Sequence, residues 1–275
     1  MRLRRWAALL ASATLAMAPL CAQALCSRTV QVPVAPIGLG VTVVDGHVGG
    51  IYPDLLRGLA NKEGCALNFP VVPRARQEMM YELGLADILL PARRSPRRDG
   101  FGLFIPLIQS RAALVSLRGL ALPLDQVHSL PDLLQQHELR LAVVRGYDYG
   151  DDYQQLLAGM RSQGRLVEAV DPISLVRMLD AGMAEVSIVA PTIITGALRG
   201  DAKLKTWLPR VQITTLEDLP WGESGLYVST RSSLSIADRE RLQASLMHLA
   251  KSDVTWREFQ RYYPEDDLRL TVRPH

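Results

Sequence analysis

Four arginines follow a buried apolar run near position 90. The run is Ala86–Leu90, and the arginines are Arg93, Arg94, Arg97 and Arg98. A run of this length is typical of a strand covered on both faces, and Pro91 is expected to end it. Arginine stays charged and binds carboxylates and phosphates with two N–H groups, so arginines just beyond a buried strand suit capture of such an anion. The alternative is an ordinary solvated basic loop.

Other chemistries have weaker support in the sequence. The five histidines, His47, His128, His137, His248 and His275, lack the spacing of metal ligands. Zinc-protease, serine-hydrolase and phosphate-loop motifs are missing, and the glycines between positions 38 and 50 do not form a dinucleotide fingerprint. We therefore expect no metal, no cofactor and no catalytic residue. The acids that could serve catalysis are Glu78 and Asp148, and neither has a visible partner.

The first 24 residues have the pattern of a secretory signal peptide. Three arginines, Arg2, Arg4 and Arg5, precede the apolar segment Trp6–Met17, which is too short to span a bilayer. The segment Ala22–Ala24 fits the small-residue rule for cleavage, so the mature chain is expected to begin at Leu25. The sequence thus predicts a soluble, exported, periplasmic protein.

The charge and aromatic content of the chain narrow the kinds of partner that it can bind. The signal holds three of the 31 basic residues and none of the 28 acidic ones, so the rest of the chain is balanced, which argues against nucleic acid. Aromatic residues, at 6%, are too few for a wall of stacking side chains.

Two cysteines remain after cleavage of the signal peptide, Cys26 and Cys65, each directly before a predicted strand. In an oxidising compartment we expect a disulfide between them, the alternative being two buried thiols.

Strand and helix patterns alternate along the chain, which predicts an α/β protein with mainly parallel sheets. Helix starts are marked by Pro53 with Asp54, by Asp171 with Pro172, and by Ser235 with Asp238. The predicted strands are Thr29–Val34, Ala66–Val72, Ala86–Leu90, Ala112–Leu117, Leu139–Val144, Glu185–Ala190 and Gly225–Thr230.

Several short motifs occur in a familiar order. They are Gly50–Leu56 (GIYPDLL), Gly84–Ile88 (GLADI), Ser95–Arg98 (SPRR) before Phe104–Leu107, Leu141–Gly146 (LAVVRG), and Gly225–Ser229 with Trp256–Tyr263. On these motifs the mature chain resembles, over essentially its whole length, the family-3 bacterial extracytoplasmic solute-binding proteins, the amino-acid-binding-protein-like group.

The resemblance implies a two-lobed clamp of the periplasmic-binding-protein type, each lobe a mainly parallel sheet flanked by helices. Lobe 1 would comprise residues 25–115 and 227–275, and lobe 2 residues 116–226. Two crossover strands, near Ala113–Leu117 and Gly225–Thr230, would form the hinge. A monomer would capture a small solute between the lobes and deliver it to the membrane permease of an ABC-type importer.

The family's ligand positions can be carried over one at a time. The arginine that binds the ligand's α-carboxylate falls on Arg98. Two small contact residues fall on Pro91 and Arg93, and a cleft-wall position falls on Arg74. The acid that accepts an α-ammonium falls on Ala190, so an ammonium would lack its partner. The resemblance therefore favours an organic acid, with more than one carboxylate, over an amino acid.

The candidate ligand-binding residues are Arg98, Arg93, Arg74, Ala92, Gly146, Tyr147 and Trp221. Tyr147 follows the glycine that opens a lobe 2 helix and is expected to line the cleft, whereas Asp148 is expected to cap that helix. Trp221 either lines the cleft or packs under the hinge, and Arg94 and Arg97 are expected to be solvated.

Two other functions stay open at this point. One is a non-transport accessory or sensor-input role for the same fold in the periplasm. The other is an enzyme resembling cyclohexadienyl dehydratase, which would need an acid or base in the cleft.

Overall fold

The structure, a computed structural model, describes residues 26–117 and 124–275. The predicted signal peptide, residues 1–24, lies outside these ranges. No helix within them is long and apolar enough to cross a membrane. Two lobes of mixed helix and strand are present, which confirms the α/β clamp.

The first part of the chain builds most of lobe 1. Its elements are β1 (Val30–Gln31), β2 (Thr42–Val44), β3 (His47–Gly49), α1 (Ile51–Glu63), β4 (Leu67–Asn68), α2 (Arg74–Glu82), β5 (Ile88–Arg93), α3 (Pro96–Asp99) and β6 (Gly102–Ser110). Strands β1 and β4 pair in parallel. A disulfide joins Cys26 and Cys65 just before these two strands, with the Cα atoms 5.1 Å apart, which confirms the predicted bridge.

The middle of the chain builds lobe 2. Its elements are β7 (Ala113–Leu117), α4 (Leu130–Gln135), β8 (Leu141–Val144), α5 (Asp151–Ser162), β9 (Leu166–Ala169), α6 (Pro172–Asp180), β10 (Val186–Val189), α7 (Pro191–Gly200) and β11 (Val211–Thr214). The five strands form one sheet in the order β11-β7-β10-β8-β9. Asp171 caps α6 as predicted, since its carboxylate accepts a hydrogen bond from the Ser174 N–H at 2.7 Å.

The last part of the chain returns to lobe 1. Its elements are β12 (Gly222–Ser229), α8 (Ile236–Ala250), α9 (Val254–Tyr262), α10 (Glu265–Arg269) and β13 (Val272–Pro274). Strands from both ends of the chain share a sheet in the order β13-β6-β12-β5. The core of lobe 1 is likewise shared, because Val34 and Ile88 belong to the same apolar cluster as Leu226 and Leu246.

The sheets are mixed rather than mainly parallel. The four-stranded sheet of lobe 1 is antiparallel throughout. In lobe 2, β8 runs parallel to β9 and β10, but β7 runs antiparallel to both of its neighbours. Buried strands have continuous apolar runs in either arrangement, so the sequence pattern does not reveal their direction.

The chain crosses between the lobes at places that differ from the predicted boundaries. Strand β7 pairs entirely with strands of lobe 2, and β12 pairs entirely with strands of lobe 1. Leu216 and Leu219 still pack in the core of lobe 2, so the crossings lie at residues 111–112 and 220–221, whereas the predicted boundaries followed residues 115 and 226. A strand's own sequence does not specify which sheet it joins.

Strand β5 continues through Pro91 instead of ending there. It lies at the edge of its sheet, and the register of its partner β12 shifts between Gly225 and Tyr227, opposite the proline. Because proline lacks an N–H group, an edge strand beside a bulge is where it is tolerated. The Leu90–Pro91 peptide is cis. Because β5 extends to Arg93, this residue lies on a strand rather than in a loop.

Candidate functional site

A cleft between the two lobes holds two adjoining chambers of about 70 Å³ each. Six residues, from both lobes, line both chambers: Ile37, Pro91, Ser110, Ala190, Ile193 and Ser224. The first, here called the charged chamber, is also lined by Arg74, Ala92, Arg93, Arg98, Tyr147, Asp148 and Tyr149. The second, here called the apolar chamber, is also lined by Gly40, Tyr52, Ile108, Thr192, Phe259, Tyr263 and Val272.

Two of the predicted arginines meet on one carboxylate behind the charged chamber. Arg98 donates to Glu78 through Nε, at 3.1 Å from Oε2, and through Nη2, at 2.8 Å from Oε1. Arg74 donates to the same Oε1 at 2.5 Å. All three side chains are buried. Arg98 also donates from Nη1 to the carbonyl oxygen of Arg93 at 2.8 Å, so three of its five N–H groups are already used.

The pKa directions show which cations are compensated. Burial lowers the pKa of Arg74, although the nearby Glu78 opposes this. Burial also lowers the pKa of Arg93. Burial would lower the pKa of Arg98 as well, but the charge and hydrogen bonds of Glu78 outweigh it and the pKa rises. Glu78 therefore compensates Arg98 and leaves Arg74 and Arg93 with an incompletely balanced charge.

Arg93 lies where the two crossings meet the charged chamber. Its Nη1 donates to the Ser110 carbonyl oxygen at 3.0 Å, at the end of β6, and its Nη2 donates to the Pro220 carbonyl oxygen at 3.1 Å. In the part of the chain that the structure describes, no carboxylate forms an ion pair with it. These two bonds leave three N–H groups for a further acceptor.

Two residues that line the charged chamber each have a polar atom without a partner among the described residues. They are Nε of Arg74 and the hydroxyl of Tyr147, and both are buried. The Arg74 residue is 6% exposed and Tyr147 is 9% exposed. A buried donor without a partner is costly, so each is expected to find an acceptor in the functional state of the protein.

The loop that supplies Tyr147 also brings the lobes into contact. Gly146 has a φ of +87°, and a Cβ atom there would lie 3.0 Å from the backbone nitrogen of Ala75 in lobe 1. Gly146 thus contacts the start of α2 instead of lining a chamber. Asp148 does not cap α5 as expected, because the N-cap is Gly150 and no side chain caps the helix; its Oδ1 instead accepts hydrogen bonds from the Gly150 N–H and from the Gln154 side chain, each at 3.1 Å.

The lobes are also joined at the far end of the apolar chamber. The Tyr263 hydroxyl, from lobe 1, donates to the Thr192 carbonyl oxygen of lobe 2 at 2.9 Å and accepts from the Leu39 N–H at 3.0 Å. On the same side, Arg199 of α7 pairs with Asp267 of α10 at 2.9 Å. On the side of the cleft away from the charged chamber, the two lobes are therefore joined by bonds between their own residues.

The remaining predicted residues have clear positions. Ala92 lines the charged chamber. Trp221 lines neither chamber and instead contacts the guanidinium groups of Arg111 and Arg273, which lie 5.1 and 4.4 Å from its ring centre. Arg94 and Arg97 are solvent-exposed, as predicted. Across residues 26–117 and 124–275, no cluster of three or more potential metal ligands occurs.

Comparisons with known proteins identify the fold. No protein-family model matches the chain, and no curated protein matches it by sequence. Solved structures do match. EhuB in complex with hydroxyectoine superposes with a TM-score of 0.68 at 18% identity, covering 88% of this chain and 92% of that one. This chain has the fold of the family-3 solute-binding proteins.

Two further solved structures with this fold come from proteins with different roles, a solute-binding protein and a sensor domain. An ancestral arginine-binding protein bound to arginine has a TM-score of 0.65 at 16% identity, covering 86% of this chain and 98% of that one. A histidine kinase sensor domain with similarity to periplasmic binding proteins has a TM-score of 0.66 at 18% identity, covering 86% and 96%. The fold therefore occurs both in solute-binding proteins and in sensor domains.

Sequence reasoning missed two features of the site. One is Glu78 as the common partner of Arg74 and Arg98; its spacing of four residues from Arg74 on a helix was the available signal. The other is Tyr149, whose hydroxyl accepts a hydrogen bond from the Ala190 N–H at 3.2 Å. Ala190 is the position to which the resemblance assigned an ammonium acceptor, and its backbone N–H donates to the Tyr149 hydroxyl.

Proposed function

We propose that this protein is a periplasmic solute-binding protein that captures a small carboxylate-bearing anion in the interlobe cleft and delivers it to an ABC-type importer. The observation that carries the proposal is the group of three arginines that line the charged chamber, Arg74, Arg93 and Arg98, together with two lining residues that each have a buried donor without a described partner, Arg74 at Nε and Tyr147 at its hydroxyl. A carboxylate accepts several hydrogen bonds, so one such group can satisfy a donor from each lobe.

The charge of the chamber favours an anion. Arg74, Arg93 and Arg98 contribute three positive charges, while Glu78 and Asp148 contribute two negative ones. The excess is positive, and a buried cation without a counterion is unfavourable. A ligand carboxylate supplies the missing negative charge and joins the lobes as it binds.

An α-amino acid fits this cleft poorly. The solute-binding proteins compared above bind arginine or hydroxyectoine, but here the ammonium-acceptor position is Ala190. Asp148 is the carboxylate among the described lining residues, and its Oδ1 already accepts from Gly150 and Gln154. A free acid without an ammonium group avoids burying an unpaired positive charge.

Binding without catalysis is the second part of the proposal. Burial would raise the pKa of Glu78, but the adjacent charges of Arg74 and Arg98 lower it below its ordinary value. Glu78 therefore stays ionised and hydrogen-bonded at neutral pH, which does not suit a general acid. Its place behind the arginines supports a structural role.

The test is to compare acid binding by the wild-type protein and by Tyr147→Phe, using isothermal titration with carboxylic acids and with amino acids. The hydroxyl of Tyr147 has no partner among the described residues, so its removal should leave the fold intact and weaken acid binding about tenfold or more. Tyr153→Phe is the matched control, because its hydroxyl is also buried without a described partner but lines neither chamber.

Three outcomes would count against the proposal. If no carboxylic acid binds the wild-type protein, the anion assignment fails. If amino acids bind and free acids do not, the ligand class fails. If Tyr147→Phe and Tyr153→Phe weaken binding equally, the anion site does not lie in the charged chamber.

A sensor-input role is the second candidate, and the similarity to a histidine kinase sensor domain favours it. Both roles require the same ligand site, so binding alone does not separate them. The genes that neighbour this one separate the two roles, because permease and ATPase genes support delivery to an importer, whereas a kinase gene supports sensing.

A further inference from the structure

We infer that the ligand is a monocarboxylate with a short apolar tail, its carboxylate in the charged chamber and its tail in the apolar chamber. This inference rests on the proposed function and names the substrate class of the same site. It departs from the sequence-based expectation of an acid with more than one carboxylate.

The first step is the charge count. Glu78 neutralises one of the two arginines that it contacts, and Asp148 places a second negative charge in the lining of the charged chamber. One positive charge is left over. A single carboxylate balances it, whereas a second carboxylate would add a buried negative charge without a counterion.

The second step is the nature of the apolar chamber. Among the residues that the structure describes, its lining includes no charged side chain. Its far wall consists of Ile108, Phe259 and Val272, all buried. Hydroxyl groups of tyrosine, serine and threonine also line the chamber, and that of Tyr263 is already occupied by Leu39 and Thr192. A carboxylate placed here would lose its hydration without a cation in return, while an alkyl group would gain from burial.

The third step is size. The chambers share six lining residues and together enclose roughly 140 Å³. A cavity of about 150 Å³ holds one benzene molecule, so the ligand has about six to eight non-hydrogen atoms. A carboxylate accounts for three of these, which leaves about three to five carbon atoms for the tail. Straight or branched acids of four to six carbons in total therefore fit, as estimated from the same volume.

The experiment is a titration of the wild-type protein with straight-chain monocarboxylates from acetate to octanoate. Dicarboxylates and α-amino acids of matched length, such as glutarate and norvaline against pentanoate, complete the series. Affinity should rise about fourfold with each added methylene, reach a maximum at about four to six carbons and then fall. Pentanoate should bind at least about tenfold more tightly than glutarate.

A variant ties the tail to the apolar chamber. Val272→Leu adds one methylene at the far wall and should move the best chain length down by about one carbon. Val254→Leu makes the same change in lobe 1 at a residue that lines neither chamber, and should leave the optimum where it is.

The outcomes separate this inference from the proposed function. If glutarate binds as tightly as pentanoate, or affinity does not depend on chain length, the tail inference is wrong while carboxylate binding stands. If the wild-type series has a length optimum and Val272→Leu leaves it unchanged, the apolar chamber does not hold the tail. If no acid binds at all, both the inference and the proposed function fail.

Discussion

Glu78 holds Arg98 in a two-point ion pair, with Oε2 3.1 Å from Nε and Oε1 2.8 Å from Nη2. The pair directs the guanidinium of Arg98 largely toward the protein. In this chain the arginine that the resemblance placed on the ligand carboxylate is therefore shared with an internal carboxylate. Arg74 likewise donates three hydrogen bonds inside the protein, so Arg93, which donates two, keeps the most N–H groups for a ligand, and the Tyr147 hydroxyl has no partner among the described residues.

Replacing Glu78 by glutamine should destabilise the protein. The substitution removes the negative charge between two buried arginines and leaves both uncompensated, so the free energy of unfolding should fall by about 3 kcal/mol or more. Urea denaturation measures this. Glu82→Gln is the matched control, since Glu82 lies one turn further along the same helix and pairs with the exposed Arg97. It should cost less than about 1 kcal/mol, and equal losses in the two variants would contradict the role of Glu78.

The stabilisation by Glu78 should depend on pH in a defined direction. Its pKa in the folded protein is lowered from the ordinary value of 4.5, so folding favours the ionised form. The contribution is complete above the ordinary pKa and is lost as the pH falls through the lowered one. The difference in unfolding free energy between wild type and Glu78→Gln should be constant above about pH 6 and shrink below about pH 4.5. A difference that grows on acidification would refute this.

Replacing Gly146 by alanine should oppose closure of the lobes. Gly146 and Gly150 both have positive φ, at +87° and +104°, so alanine at either site strains the backbone. Only at Gly146 would the new Cβ meet the other lobe, 3.0 Å from the Ala75 nitrogen. Both variants should lose about 1 to 3 kcal/mol of stability.

The two glycine variants should differ in ligand binding. Gly146→Ala should bind ligand about tenfold more weakly, because the closed state becomes less populated. Small-angle scattering should show a larger radius of gyration for Gly146→Ala than for Gly150→Ala. Identical radii and affinities would show that the contact at Gly146 does not control closure.

Replacing Tyr263 by phenylalanine should weaken the interlobe bond on the far side of the apolar chamber. The hydroxyl serves the Leu39 N–H and the Thr192 carbonyl oxygen, so its loss should cost about 1 to 3 kcal/mol, mostly in the closed state. Tyr262→Phe is the control, because its hydroxyl contacts the exposed Asp54 within lobe 1. Distances between labels on the two lobes should lengthen in Tyr263→Phe alone; lengthening in both would argue against a specific bond.

Removing the disulfide should destabilise lobe 1. Cys26 and Cys65 are separated by 39 residues, and a closed loop of that length contributes about 4 kcal/mol in the chain-entropy description. The double variant Cys26→Ser, Cys65→Ser should unfold at correspondingly lower urea concentration. Thiol titration of the native protein should find neither cysteine free, and two reactive thiols would contradict the bridge.

The sequence predicts those parts of the fold that depend on local signals. Asp171 caps α6, and Ser235 caps α8 by accepting from the Asp238 N–H at 3.0 Å, each as its spacing indicates. The pairing of Cys26 with Cys65 follows from their equivalent places before two parallel strands. The motif order was sufficient to indicate the two-lobed clamp, because each motif marks the start or end of an element.

The sequence does not predict features that depend on distant contacts. Arg98 and Glu78 are 20 residues apart, on α3 and α2, and only the folded lobe brings them together. The continuation of β5 through Pro91 depends on its position at the edge of a sheet, which its own residues do not specify. The contact of Trp221 with two arginines depends likewise on the packing of β13 and the crossing segments.

The way in which β13 joins β6 bears on the order in which the protein acquires its structure as the chain is synthesised. Lobe 2 is one uninterrupted stretch of chain, so all of its strands have emerged once β11 is out. The lobe 1 sheet stays unfinished until β12 and β13 follow from the opposite end of the sequence. Lobe 2 can therefore fold as a unit first, and the early half of lobe 1 must wait with the exposed edge of β6 for a partner that is made last.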